Sequence, residues 1–191
     1  GTTEYLLDSN GNEREQANYC YVPSTWAENI VEQAEKDGLR LSYHTPYRLN
    51  IHRDEFCKLD WQTIQTVNPN INLPELAQPF SDCDEDIVRQ IAALGIVTGY
   101  EDGTFQPTRE LSRQEAAVIL QRLYTVLYGK IEASPTLYAD NGSIGVWAKD
   151  SVYAMRQTGI MQGVGANRFD PKNGYTCEQS IITMLRMTQK A

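Results

Sequence analysis

The feature that most constrains the fold of this chain is a pattern of residues that occurs more than once along it. Residues 80–124 and residues 138–188 each begin with an aromatic residue, any residue and aspartate, followed by an amphipathic segment and a Gly-Ile pair. Each copy then continues through Phe-x-Pro to a second amphipathic segment. The interval from the glycine of the pair to Arg113 in one copy equals the interval to Cys177 in the other. Such regular spacing predicts repeated supersecondary units that pack on one another.

A third and more divergent copy precedes these two, in residues 21–65. The interval from Trp26 to Gly38 equals the interval from Trp147 to Gly159 in the last copy. The interval from Gly38 to Arg53 is shorter than its counterparts by three residues, so the loop of this copy is shorter by the same amount.

The repeats divide the chain into an N-terminal extension and three units. The extension is residues 1–20, the first unit residues 21–67, the second unit residues 80–128 and the third unit residues 138–191. The intervening residues 68–79 and 128–137 are rich in Pro, Gly and Asn, as linkers commonly are. The three units together are expected to form one compact domain.

Each unit has the pattern of a helix, a loop and a second helix, which predicts an all-α fold. In the second unit Ile87, Ile91 and Leu94 recur at helical spacing, and Gly95 follows where a left-handed helix cap is favoured. The second helix of that unit carries one apolar stripe, made of Ala116, Ile119, Leu120, Leu123 and Leu127. Because a two-helix unit cannot bury both of its stripes alone, the units should pack around a shared bundle of second helices. The loop aromatics Tyr47, Phe105 and Phe169 are expected to fill that core.

Composition excludes several classes of function. The net charge of −8 and the lack of a basic stretch argue against nucleic acid as a partner, and no apolar run is long enough to span a membrane. The four cysteines lack the spacing of a zinc site, and no cofactor or metal is expected. Buried free thiols are favoured over disulfides, which stay open. The chain starts with glycine instead of methionine, so a removed export signal also stays open.

Two of the second helices begin with a capping-box pattern. Ser112 and Glu115 form the sequence S-x-x-E, and Thr176 and Gln179 occupy the same positions in the third unit. Glu55 is placed to act in the same way in the first unit. These residues are therefore explained by helix capping alone.

An arginine in the first turn of such a helix is not explained by capping. Arg113 and the corresponding Arg53 lie where the positive end of the helix dipole disfavours a cation. One interpretation is an ion pair with a nearby carboxylate, such as Asp54 or Glu110. The other is that the arginine joins exposed N–H groups of the helix start to bind an anionic group, such as a carboxylate, of a ligand.

The sequence GYEDGTFQPTRELSRQEAAVILQRL, residues 99–123, closely resembles the most diagnostic stretch of the S-layer homology domain. That stretch has a G-Y-x-D-G-T-F-x-P loop leading into a T-R-A-E helix start. The first-helix pattern Trp-Ala-x-x-x-(Ile/Val) also recurs, as WAENIV and WAKDSV. The resemblance extends over about residues 21–188.

The resemblance implies a pseudo-threefold spindle of three units around a shared helical bundle. It also implies non-covalent anchoring to a secondary cell-wall polysaccharide at the surface of Gram-positive bacteria, often one whose sugars carry pyruvate ketals. The ligand would lie in grooves between units and contact the arginine of the T-R-A-E motif, which corresponds to Arg53 and Arg113. A pyruvate ketal is a carboxylate, in agreement with the second interpretation of the arginines.

Further residues near the helix starts are candidates for contact with the ligand. Asp102, Gly103 and Thr104 form a turn next to the helix start and could bind sugar hydroxyls. Trp26 and Trp147 could stack on a sugar ring, although their helical spacing favours core packing.

The departures from the family pattern limit the number of grooves. Cys177 replaces the arginine in the third unit, and Cys83 lies where the other units have tryptophan. The first unit has YHTPYR, residues 43–48, in place of D-G-T-F. At most two working grooves are expected, and the groove at Arg113 is the first of them.

Two other functions compete with anchoring. The sequence has no Ser/His/Asp, metalloprotease or phosphate-loop signature that would support an enzyme. It also has no complete calcium-binding loop. A degenerate module that holds other surface proteins is the stronger rival, because of Cys177 and the divergent first unit.

Overall fold

The computed structural model describes residues 5–7, 13–15 and 19–190, and helices dominate it, as predicted. The helices are α1 (Glu28–Lys36), α2 (Arg53–Val67), α3 (Asp86–Ala93), α4 (Arg113–Tyr128), α5 (Lys149–Gln157) and α6 (Cys177–Thr188). Two 3₁₀ turns, Asn141–Ser143 and Val146–Ala148, precede α5. The N-terminal extension adds one antiparallel pair of short strands, β1 (Tyr5–Leu7) and β2 (Glu13–Glu15).

The apolar stripe of α4 faces the core as predicted. Its residues Ala116, Ile119, Leu120 and Leu123 are buried, and Leu127 is partly buried against them. Two residues after the first helix of each unit ends, a glycine has a left-handed backbone, with φ of +91° at Gly38, +74° at Gly95 and +73° at Gly159. At positive φ a side chain is strained, which is why glycine recurs at this position.

The helices pack in a cyclic order. The first helix of a unit lies against the second helix of the unit before it: α3 packs on α2, and α5 packs on α4. The order closes between the ends of the chain, because α1 packs on α6. Helix α2 also contacts α4 and α6.

A ring of backbone hydrogen bonds joins the three units just before their second helices. The N–H of Ile51 donates to the carbonyl of Tyr175 (2.8 Å), Tyr175 to that of Leu111 (2.9 Å), and Leu111 to that of Ile51 (3.1 Å). All three residues are buried. The pseudo-threefold spindle stays a prediction, and this closed ring is the contact that most favours it.

The loop aromatics fill the core in two units only. Phe105 and Phe169 are fully buried, whereas Tyr47 is half-buried and its hydroxyl donates to Glu35 (2.6 Å). Tyr47 therefore packs against the core at a half-buried position instead of filling it, and buried Thr45 takes the place of the aromatic ring.

Backbone register explains the difference. The second residue of α2, α4 and α6 donates its N–H to a loop carbonyl, and the three acceptors are Pro107, Pro171 and Tyr47. Counting back two residues from these acceptors reaches Phe105, Phe169 and Thr45. Phe105 and Phe169 lie ten residues after the glycine that follows the first helix, and the loop that is shorter by three residues places the equivalent residue of the first unit, Thr45, seven residues after Gly38.

The four cysteines form no disulfide, and Cys57, Cys83 and Cys177 are buried. None of the described helices is long and apolar enough to cross a membrane.

Candidate functional site

Arg53 and Arg113 are buried, with 8% and 4% of their surface exposed, and each reaches into the loop of the following unit. The Nε–H of Arg53 donates to the carbonyl of Phe105 (2.9 Å), and its Nη2 donates to that of Thr98 (2.9 Å). The guanidinium also lies over the ring of Phe105, 4.5 Å from its centroid. A single side chain therefore ties the start of α2 to both ends of the next loop.

Arg113 repeats this arrangement one unit later. Its Nε–H donates to the carbonyl of Phe169 (2.8 Å), and its Nη2 donates to that of Gln162 (2.8 Å). The guanidinium lies over the rings of Phe169 and Tyr175, 5.1 Å and 5.7 Å from their centroids.

Both sequence interpretations of these arginines need correction. Neither arginine forms an ion pair with the nearby carboxylates: Asp54 lies 3.6 Å from Lys58, and Glu110 accepts from Asn50 (2.7 Å). The first backbone N–H groups of α2 and α4 are not exposed either, because they donate to carbonyls of the next unit's loop. A ligand would therefore meet the arginine side chain without help from these N–H groups.

Part of each guanidinium remains for a ligand. Burial lowers the pKa of Arg53 and of Arg113 from the ordinary value, yet arginine keeps its charge at neutral pH. Within the described part of the chain, the Nη1 groups of these two arginines have no hydrogen-bond acceptor. Each arginine also lines a surface cleft.

The Arg53 cleft has a volume of about 270 Å³. It lies between the loop of the second unit, the exposed side of α4 and the tryptophan of the third unit. Its lining residues are Arg53, Val97, Thr98, Gly99, Tyr100, Glu115, Val118, Ile119, Arg122 and Trp147.

The Arg113 cleft is smaller, about 130 Å³, and has the same plan one unit later. The tryptophan comes from the first unit, because α1 packs on α6. Its lining residues are Trp26, Arg113, Met161, Gln162, Gly163, Val164, Tyr175, Gln179, Ile182, Thr183 and Arg186.

Charge distinguishes the two clefts. The Arg113 cleft contains two arginines, Arg113 and Arg186, and no carboxylate among its lining residues. The Arg53 cleft also contains two arginines, but Glu115 lies beside them and forms an ion pair with Arg109 (2.8 Å). Both clefts are therefore cationic patches on a chain whose net charge is −8, and the Arg113 cleft is the more strongly cationic.

Comparison with protein-family models matches the S-layer homology domain to residues 81–117 and to residues 142–174. These two segments are S-layer homology domains. The first unit lies outside both matches, so its membership of the family stays a prediction.

Relatives of this chain include surface proteins and large enzymes. The S-layer protein of Bacillus thuringiensis subsp. finitimus is 33% identical over 52% of this chain and 12% of its own length. The endoglucanase of Bacillus sp. (strain KSM-635) is 32% identical over 53% of this chain and 11% of its own length. The amylopullulanase of Thermoanaerobacterium thermosulfurigenes is 23% identical over 89% of this chain and 9% of its own length.

The chain thus spans about a tenth of the length of these relatives, and the enzymes match only at their S-layer homology region. The match supports a non-catalytic domain for anchoring, located at the cell surface.

The structure corrects the interpretation of the two tryptophans. Helical spacing favoured core packing, but Trp26 is 59% exposed and Trp147 is 61% exposed. Both lie at the rim of an arginine cleft, where an exposed ring face is available to a ligand.

The other predicted ligand residues are not among the lining residues of the two clefts, although Asp102 lines an adjoining pocket that shares Gly99 and Tyr100 with the Arg53 cleft. Asp102, Gly103 and Thr104 line neither the Arg53 cleft nor the Arg113 cleft. The carboxylate of Asp102 accepts from the N–H (3.0 Å) and the hydroxyl (2.7 Å) of Thr104, and the hydroxyl bond lowers the pKa of Asp102. Gly103 has a φ of +81°. The geometry of these three residues is that of a turn, and their contact with ligand stays a prediction.

The third unit has Cys177 at the position that Arg53 and Arg113 occupy in the other two units, so no arginine lies there. The thiol of Cys177 is fully buried, and burial raises its pKa to about 12. The adjacent Glu178 is also buried and accepts from the N–H (2.8 Å) and the hydroxyl (2.7 Å) of Ser24. The contact between the third and first units is therefore a structural joint.

Sequence reasoning missed Arg122 and Arg186. They lie nine residues after Arg113 and after Cys177, and Gln62 occupies the same position in the first unit. Each arginine makes one long bond to a loop carbonyl, to Ile96 (3.4 Å) and Ile160 (3.2 Å) respectively. Alignment of the repeats beyond the helix start would have shown that two units share this basic position.

Proposed function

We propose that this chain anchors a protein to the bacterial surface by binding a cell-wall polysaccharide through the Arg53 and Arg113 clefts. The observation that carries the proposal is the shared plan of the clefts. Each combines a buried arginine, a second arginine nearer to the solvent and an exposed tryptophan at the rim.

This combination suits a sugar that carries an acidic group. Two guanidinium groups attract a carboxylate and offer several donors in fixed directions. An exposed indole ring offers a flat apolar face to the C–H groups of a sugar. A pyruvate ketal places a carboxylate directly on a sugar ring, and such a sugar is the proposed ligand.

The experiment is a pull-down with purified cell-wall sacculi of the source bacterium. The test variant carries Arg122→Glu and Arg186→Glu, which reverse one charge in each cleft while leaving the buried arginines in place. The control variant carries Lys36→Glu and Lys190→Glu, which make the same change in net charge outside both clefts. We expect the test variant to lose binding and the control variant to keep it.

Chemical treatment of the sacculi tests the ligand class separately. Mild acid that removes ketal groups should release the unmodified protein if a pyruvate ketal is recognised. Binding that persists in the test variant would rule out the arginine clefts as the ligand site.

A second candidate function is binding to another surface protein. It is favoured by the first unit, where Tyr43 is 92% exposed and Leu49 is 51% exposed, and by the absence of arginine at Cys177. Failure of the unmodified protein to bind sacculi would favour this function.

A further inference from the structure

The loop before α6 contains the dipeptide Asn173-Gly174, whose two residues can react with each other. The N–H of Gly174 donates to Oδ1 of Asn173 (3.0 Å), so its nitrogen lies beside Cγ of the same side chain. Asn173 is exposed to solvent, and Gly174 is half-buried. Among the described residues, the N–H of Gly174 has no other acceptor. The nitrogen and the side-chain carbonyl carbon are therefore held in the arrangement from which an asparagine cyclises.

The cyclisation needs only water and a base, because both reacting groups belong to the chain. When the nitrogen of Gly174 loses its proton, it attacks Cγ of Asn173. An N–Cγ bond forms, the Cγ–Nδ2 bond breaks with its electron pair, and Nδ2 leaves with the proton as ammonia. The succinimide ring that results then adds one water molecule. Opening at Cγ gives aspartate, and opening at the main-chain carbonyl gives isoaspartate, in which the peptide bond runs through the former side chain.

The same dipeptide occurs at residues 10–11 and 141–142, and only the second of these pairs lies within the described residues. Asn141 is half-buried and begins a 3₁₀ turn. Its Oδ1 accepts from the hydroxyl of Tyr153 (2.6 Å), and its main-chain carbonyl accepts from the N–H of Ile144 (3.4 Å). Ring formation at Asn141 would have to break these bonds, so the fold protects this pair.

Packing explains why the chain keeps glycine at the reactive position before α6. A Cβ at Gly174 would overlap the side-chain amide of Asn50. Gly174 also pairs with Ser112 in an antiparallel bridge, directly before α4. The main-chain carbonyl of Asn173 accepts the N–H of Arg113 (2.9 Å), the first residue of that helix. The reactive dipeptide is therefore part of the contact between the second and third units.

We propose that Asn173-Gly174 is a site of spontaneous modification, at which the folded protein converts asparagine to aspartate and isoaspartate. Isoaspartate turns the main-chain carbonyl that accepts from Arg113 into a free carboxylate, and it adds one carbon to the main chain before Gly174. The added carbon shifts the register of the bridge to Ser112 and of Tyr175 in the hydrogen-bond ring. The modification thereby weakens the joint between the second and third units with time. It requires no ligand, so it is independent of the proposed function.

Peptide mapping by mass spectrometry tests whether the reaction occurs. The native protein and the protein unfolded in guanidinium chloride are held in mildly alkaline buffer, and conversion is followed at each Asn-Gly pair. In the native protein we expect Asn173 to convert about tenfold faster than Asn141. In the unfolded protein the two rates should approach each other, because the fold no longer protects Asn141. Equal or slower conversion of Asn173 in the native protein would overturn the proposal.

Urea unfolding of aged protein tests the effect on the joint. Labelling by an isoaspartate methyltransferase identifies the aged fraction that contains isoaspartate, and Asn173→Asp carries the new charge without the added carbon. We expect the isoaspartate fraction to unfold at a lower urea concentration than Asn173→Asp. Asn173→Gln cannot form the five-membered ring and should keep its midpoint on ageing, whereas the matched control Asn141→Gln should lose stability as the parent does.

Two results would contradict this effect. If the isoaspartate fraction unfolds at the same urea concentration as Asn173→Asp, the added carbon does not weaken the joint. If Asn173→Gln loses as much stability on ageing as the parent, the loss arises elsewhere in the chain.

Discussion

Arg113 has a structural role that its position in the sequence does not reveal. Its guanidinium satisfies two loop carbonyls from within the protein, so only its remaining Nη1 side is available to a ligand. Loss of binding in a variant of this residue would therefore be hard to separate from loss of the fold.

Replacement of the buried arginine should destabilise the protein. Arg113→Met leaves the carbonyls of Phe169 and Gln162 without their donor, and we expect the free energy of unfolding to fall by about 3 kcal/mol. Arg186→Met removes a single long bond at a half-buried position and should cost less than about 1 kcal/mol. Urea unfolding followed by circular dichroism measures both. Equal stabilities would show that Arg113 is not required by the fold.

Asp60 is a buried residue whose chemistry conflicts with its surroundings. It lies in α2 with no exposed surface, and neither of its carboxylate oxygens has a hydrogen-bond partner among the described residues. The same helical position is occupied by Leu120 in α4 and Met184 in α6, both fully buried. Burial raises the pKa of Asp60 well above the ordinary value of 3.8.

The raised pKa of Asp60 predicts a dependence of stability on pH. The folded protein holds a proton that the unfolded chain releases near pH 4, so the contribution of Asp60 to stability is greatest below that pH and is lost as pH rises through the folded pKa. Asp60→Asn should remove this slope. Asp60→Leu should remove it and also raise stability at pH 7 by about 2 kcal/mol.

Thermal unfolding measured at several pH values between acidic and neutral gives the dependence of stability on pH for each variant. Asp86→Asn, at a position whose side chain is 79% exposed, is the matched control and should retain the slope. A slope that persists in Asp60→Asn would mean that another group is responsible.

At the scale of the elements, the loop of each matched S-layer homology domain depends on one aspartate. Asp82 accepts from the N–H groups of Phe105 (2.7 Å) and Gln106 (2.8 Å), and Asp140 accepts in the same way from Phe169 and Asp170. These bonds hold residues with left-handed backbones, since φ is +57° at Gln106 and +59° at Asp170. The aspartate of the repeated sequence pattern therefore fixes the conformation of the loop.

The role of Asp82 has a pH signature of the opposite sign to that of Asp60. The backbone bond from Phe105 lowers the pKa of Asp82, so its contribution to stability is present above pH 4 and is lost as pH falls through the folded pKa. Asp82→Asn should therefore be less stable than the parent at neutral pH and approach it in acid.

Unfolding by urea at several pH values tests this prediction. The control is Asp84→Asn, whose side chain is 76% exposed and whose described partner is the side chain of Arg89. If the difference between Asp82→Asn and the parent is the same at every pH, the carboxylate is not the stabilising group.

At the scale of the whole molecule, the contact between the ends of the chain decides whether the Arg113 cleft exists. Trp26 of the first unit forms one wall of a cleft whose other walls belong to the third unit and to Arg113 of the second. Glu178 holds the segment before Trp26 by two bonds to Ser24. Closure of the ring therefore couples the first unit to ligand binding at the Arg113 cleft. This holds although the third unit has Cys177, and not an arginine, at the position that faces the first unit.

Opening this joint should affect one cleft and spare the other. Glu178→Ala removes both bonds to Ser24 and should weaken binding of the methyl glycoside of a pyruvate-ketal hexose at the Arg113 cleft by about tenfold, with little change at the Arg53 cleft. Calorimetry in an Arg122→Glu background reports the Arg113 cleft, and an Arg186→Glu background reports the Arg53 cleft. Equal losses at both clefts would indicate general destabilisation instead.

Much of the fold was available from local sequence. The period of the apolar stripe predicted α4, the glycines at positive φ marked helix ends, and Ser112 and Thr176 began helices as their capping pattern indicated. These features depend on residues within one turn of each other, so a single sequence expresses them directly.

Tertiary structure alone decided the environment of Arg53 and Arg113, the exposure of Trp26 and the register that replaces Tyr47 by Thr45. The partners of these residues lie in other units, 45 to 56 positions away in the case of the arginine carbonyls. Which carbonyl a guanidinium meets, and whether an indole faces the core or a cleft, depends on how separate helices close into a ring. The sequence by itself determined the repeated unit and its helices, and the packing of the units determined which of their shared residues remain open to a ligand.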